Sequence, residues 1–185
     1  MRILVFTSVI AAAGMSMFQT DTLPPYTTQA LSPEDVHHQI AADKIWKQYK
    51  VAEKIARRAF KTEGCNNGTL AGLTAHNAVD QHIPVRVLSA LIFEESSCHP
   101  AAVARRHGKV TACGLTQVNP AAWNISCEAL QNPQLSIELG TRILASYKRR
   151  YGLRGGLEHY LGIGNDGALD SAAYATKVLT LAGLQ

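Results

Sequence analysis

The chain has 185 residues, 46% of them hydrophobic and 6% aromatic, with 18 Lys and Arg against 14 Asp and Glu for a formal charge of +4. That much apolar material supports one packed domain plus an extension, which excludes a wholly disordered chain. Frequent Ala and Leu, with few strictly alternating Val/Ile runs, argue against a sheet-built fold and for a mainly α one.

At the N-terminus a single Arg2 precedes an apolar stretch from Ile3 to Ala13, followed by small residues at Gly14 and Ser16. This is the pattern of a secretory signal over residues 1–16. The stretch is shorter than the ~20 residues a spanning helix needs, and an uncleaved anchor is the competing reading. Cys65, Cys98, Cys113 and Cys127 all lie beyond it, in even number and without C-x-x-C spacing. Two disulfides in an oxidising, periplasmic or exported setting are therefore expected, with three pairings open and four free buried thiols as the alternative. The spacing of His99 and His107 about the cysteines is irregular, so no metal is expected, and no cofactor either.

A Pro- and Thr-rich arm leads to Ser32, which suits the N-cap of a helix beginning at Pro33, with Glu34 and Asp35 in its first turn. The helix should run to about Lys61. Its second half is basic: Lys44, Lys47, Lys50, Lys54, Arg57, Arg58 and Lys61 face only Asp43 and Glu53. Such a stripe fits anionic lipid, acidic wall groups or a protein partner, a solvated face being the plain alternative. Nucleic acid fits poorly with export. The sequence EGCNNG breaks the pattern, and the expected organisation is a signal at 1–16, linker and basic helix at 17–64, and a domain at 65–185. Within the domain we expect helices over 69–81 and 85–96, a Gly-containing loop to Gln117, and short helical pieces. A helix over 133–150 then ends at Gly152, and helices over 156–160 and 171–184 follow.

The helix over 85–96 carries the most informative residue. At roughly 100° per residue, Leu88, Leu91 and Ile92 cluster, and Glu95 falls about 20° from Leu88, in the apolar stripe. Glu94 is rotated away, beside Val87 and Ala90, while Arg86 and Ser89 mark the wetter side. A carboxyl held against apolar neighbours has its charged form disfavoured, so it holds a proton closer to neutral pH, as a general acid must. From geometry alone a glutamate dangling into water at a helix end is the commoner account.

Sequence motifs decide between these. The segment with Glu95, Ser96, Pro100, Gly114, Leu115, Gln117 and Pro120 resembles the first signature of the lysozyme-like lytic transglycosylases. Downstream, Asn132, Pro133, Leu139 and Gly140 resemble the family's Asn-Pro helix start with its internal Leu-Gly. Tyr160, Gly162 and Gly164, then Tyr174 and Val178, resemble its Tyr-Asn-Gly-x-Gly and Tyr-x-x-x-Val elements. The resemblance covers about residues 69–182. It implies a lysozyme-like catalytic domain acting on peptidoglycan glycan strands, with Glu95 as the catalytic acid. It also implies Ser96, Gln117, Tyr160, Gly114 and Gly162 as substrate-binding residues.

Three departures stand out. Leu161 replaces the usual Asn, Cys98 replaces a Phe, and Cys113 precedes the Gly-Leu. Set against the family pattern, the cysteines suggest a Cys98–Cys113 bridge, leaving Cys65 with Cys127. Glycosidases ordinarily use two carboxylates, yet Glu128, Glu138, Glu158, Asp166 and Asp170 match no catalytic element. The resemblance thus implies a one-carboxylate route to a 1,6-anhydromuramoyl end. A muramidase and a non-catalytic wall-binding module are the alternatives, and an envelope-spanning secretion, conjugation or phage assembly is the partner suggested for the basic helix.

Overall fold

The structure, a computed structural model, describes residues 32–65, 67–162 and 168–184. The signal expected over residues 1–16, Gly164 and Asp166 lie outside these residues. Helix α1 (Pro33–Thr62) starts at a capping box in which the Ser32 hydroxyl accepts from Asp35 N and the Asp35 carboxylate accepts from Ser32 N. Helix α2 (Gly68–Asp80) is capped by Asn67. Helix α3 (Val85–Ser96) has the expected bounds. Strands β1 (Val103–Arg106) and β2 (Lys109–Cys113) form an antiparallel hairpin. The short helices α4 (Pro120–Trp123) and α5 (Cys127–Leu130) precede α6 (Pro133–Leu161) and α7 (Ala168–Leu181). The architecture is mainly α, as expected, with a two-stranded sheet.

Helix α3 is the hub. It packs against α1, α2 and α7. Val87, Leu88, Leu91 and Ile92 are fully buried. Of the two residues expected on the wetter side, Arg86 is exposed but Ser89 is buried, where its hydroxyl donates to Val85 O at 3.0 Å. The same core takes in Ala56 and Phe60 from α1, Leu115, Leu144 and Leu157 from the chain after the hairpin, and Val178 from α7. A smaller cluster of Cys113, Val118, Leu130 and Ile143 lies beneath the hairpin.

Three expectations are corrected. The stretch before Gln117 contains the hairpin, turned by His107 and Gly108 at φ 50° and 77° between the paired residues Arg106 and Lys109. Two positive-φ residues there give the tight turn whose twist matches the strands. The helix over 133–150 does break at Gly152, at φ 73° and ψ 178°, but resumes at once and reaches Leu161. The cysteine pairing differs as well: Cys65 bonds Cys98 and Cys113 bonds Cys127, with Cα separations of 6.0 and 5.5 Å. The bridge that joins Cys65, just past α1, to the end of α3 follows from α1 lying along α3. The other ties β2 to the start of α5.

Candidate active site

The last full turn of α3 brings Glu95 out of the core to the floor of a cleft of about 630 Å³, within the size range of ligand sites. One wall is the hairpin with the following loop, through Thr111, Ala112, Gln117 and Asn119; the other is α6, through Ile143, Tyr147, His159 and Tyr160. Trp123 of α4 stands at the cleft, 48% exposed. Among the described residues lining the cleft, Glu95 is the only carboxylate.

Burial pushes the Glu95 carboxyl up from its ordinary 4.5 to about 7. The Tyr174 hydroxyl of α7, which donates to Glu95 Oε1, pulls the other way, and the neighbouring Glu94 charge adds to the rise. Burial wins because one hydrogen bond replaces only part of the water a carboxylate loses. Burial and the same carboxylate raise the Tyr174 and Tyr160 phenols, so both remain proton donors over the ordinary pH range. Glu94 accepts from Lys177 Nζ at 2.6 Å and does not line the cleft, so the rotation read from the sequence separates the two glutamates physically.

The remaining expected site residues divide. Tyr160 lines the cleft and donates to Thr116 O at 2.8 Å. Thr116 is itself fixed to the start of α6, its hydroxyl donating to Ser136 O at 2.7 Å. Gly140 makes this junction possible: a Cβ there would stand 2.8 Å from the Tyr160 hydroxyl. Gly162, the C-cap of α6, borders the cleft, as does Leu161, 44% exposed. Gln117 lines the cleft, but its amide nitrogen donates to Gly114 O at 2.8 Å and Ala102 O at 3.1 Å. Both its donor hydrogens therefore hold the loop, and only its carbonyl oxygen faces the task expected of the whole amide.

Ser96 and Gly114 are not among the cleft-lining residues. The Ser96 hydroxyl is buried and bonds back to Ile92 O at 2.9 Å, a helix-interior habit of serine. Gly114 is buried at φ 79°, and a Cβ on it would press on Leu130 O and stand 2.6 Å from Ser136 Oγ, so this glycine serves packing of the loop on α5 and α6. Arg105, Arg106 and Lys109 are exposed on the hairpin.

Tyr174 was matched in a motif without a role assigned to it, although its spacing from Val178 put it on the buried stripe of α7, where a phenol needs a partner. Trp123, Asn119 and His159 carried no periodic signal. His159 stacks on Tyr151 with centroids 3.7 Å apart and on Tyr147 at 5.6 Å, which fixes an aromatic wall along α6. Chemically, a carboxyl raised to about 7 and held by a phenol at the floor of a cleft is suited to give and take back one proton.

The family described as Transglycosylase SLT domain matches residues 73–176, a span that includes Glu95, Gln117, Tyr160 and Tyr174. Searches of curated proteins and of solved structures give no significant match.

Proposed function

Since the chain belongs to the Transglycosylase SLT domain family, we propose that it cleaves the β-1,4 bond between N-acetylmuramic acid and N-acetylglucosamine of peptidoglycan by a lytic route. Glu95 in its acid form protonates the glycosidic oxygen, and the leaving sugar departs. The acetamido group of the retained muramoyl unit stabilises the electron-poor anomeric carbon. Glu95, now ionised, accepts the proton of that unit's C6 hydroxyl as its oxygen closes on the anomeric carbon, giving a 1,6-anhydromuramoyl end. One proton leaves the carboxyl and one returns, and no water is consumed.

The observation that carries this reading is a cleft carboxyl, the only one among the described lining residues, whose pKa is raised to about 7. A second carboxylate, which water-consuming glycosidases use to activate the nucleophile, is missing from the described lining. The substrate lies in the envelope, so the reading includes export, and local opening of the wall for an envelope-spanning assembly suits an enzyme of this size.

Two measurements test it together. Digested wall analysed by mass spectrometry should show ends lighter by one water than reducing ends; reducing ends as the main product identify a muramidase instead. Glu95→Gln, which keeps shape and removes the transferable proton, should lower cleavage at least a thousandfold with an unchanged circular dichroism spectrum. Full activity in that variant removes Glu95 from the mechanism.

A further inference from the structure

Helix α1 is longer than the body it packs on. Residues 32–48 are exposed on every side, so about 24 Å of helix projects past the core at 1.5 Å per residue. Where α1 does pack, Ala52, Ala56 and Phe60 are buried and form its inner line. Lys44, Lys47, Val51, Lys54, Arg58 and Lys61 recur at alternating spacings of three and four, and all are exposed. At 100° per residue this second line lies roughly 180° from the first, directly on the outer face. Ile40 continues it upstream.

The composition of that outer line is specific. From Ile40 to Lys61 the helix carries seven basic residues, five of them on that line, against Asp43, which is exposed, and Glu53, which is occupied by Arg57 at 2.5 Å. Yet the basic line is not purely polar. Val51 sits in its middle and Ile40 at its upstream end, each 60% exposed. Trp46, 56% exposed, stands about 110° round the helix from that line, with Lys50 Nζ 4.7 Å from its ring centre. A soluble polyanion would be served by the cations alone. Aliphatic side chains within the cationic line match a surface that is anionic at its head groups and apolar just beneath. No described helix is long and apolar enough to cross a membrane, so the contact is one of lying on the surface.

On charge complementarity and this interleaving of apolar groups, we propose that the outer face of α1 docks on an anionic phospholipid bilayer. The line shares no residue with the cleft, so docking and cleavage are separable. The intact chain should co-sediment with vesicles of equimolar phosphatidylglycerol and phosphatidylcholine, release as salt rises, and ignore pure phosphatidylcholine. Replacing three cations at once, Lys44→Gln with Lys47→Gln and Lys54→Gln, should lower partitioning about a hundredfold. Ile40→Gln with Val51→Gln should lower it about tenfold or more, since both positions are exposed and the helix remains intact. Each variant should cleave soluble wall fragments at the wild-type rate. Equal binding to neutral vesicles, retention of binding by the triple Gln variant, or no vesicle binding by the intact chain each overturns the proposal. Soluble polyglutamate binding as tightly as anionic vesicles, undiminished by the Ile40 and Val51 changes, would assign the face to an acidic polymer.

Discussion

Glu95 owes its proton affinity to two opposed neighbours, a dry helix end and the Tyr174 phenol. The phenol stabilises the carboxylate, so Tyr174→Phe should raise the Glu95 titration above about 7. If the acid form starts the reaction, kcat/KM in the wild type falls as pH climbs through about 7. In Tyr174→Phe that alkaline limb should move to higher pH, while kcat drops several-fold because the carboxyl is less firmly aimed. A pH–rate profile on soluble glycan reads both effects, and an alkaline limb moving to lower pH would show that the phenol acts otherwise. Glu95 itself was legible from its phase on α3 and the motif around it. The duties of Ser96, Gln117 and Gly114 were not, because motif matching cannot tell a residue that faces the substrate from one that builds the loop beside it.

At the level of elements, the cleft rests on the loop from Gly114 to Gln117, fixed to the start of α6 through Thr116 and to the end of α6 through Tyr160. Gly114→Ala would place a methyl group 2.6 Å from Ser136 Oγ at a φ of 79°, and should cost about 2–4 kcal/mol in denaturant unfolding. Gly162→Ala is the contrasting case: φ is 98° but nothing stands within 4 Å of the new methyl, so the expected loss is about 1 kcal/mol. Equal losses at both sites would mean that backbone conformation, and not crowding, sets the cost. Helices α1 and α3 were readable because capping residues and apolar phase agree there. The hairpin was not, since β1 reads VARR and is exposed along its whole length, which leaves no alternation to detect. Helix α6 was divided in the sequence reading because a glycine at positive φ ordinarily ends a helix, whereas here the chain resumes its turn after one residue.

For the molecule as a whole, the raised titration of Glu95 is a stability statement. The folded state holds this proton more tightly than the unfolded chain, so the folded state is unpenalised below pH 4.5 and progressively destabilised as pH rises through about 7. The full penalty is about 3 kcal/mol. Glu95→Gln lacks it, so its Tm should exceed that of the wild type by a margin that widens between pH 5 and pH 8, as calorimetry would show. A constant margin would locate the difference elsewhere. The two disulfides act on the other side of the balance: closing loops of 33 and 14 residues, they should each contribute about 3–4 kcal/mol, measurable with paired Cys→Ser variants. Their pairing was beyond the sequence because it depends on which segments α1 and α5 bring together. If the chain is exported as proposed, entering an oxidising space N-terminus first, the pairing has a further consequence. The loops 65–98 and 113–127 are consecutive and do not overlap. Cys65 meets its partner before Cys113 has emerged, and the second pair then has only each other to choose. Oxidation in order of arrival therefore gives the native bonds with no reshuffling, whereas a nested pairing would require the first bond formed to be broken.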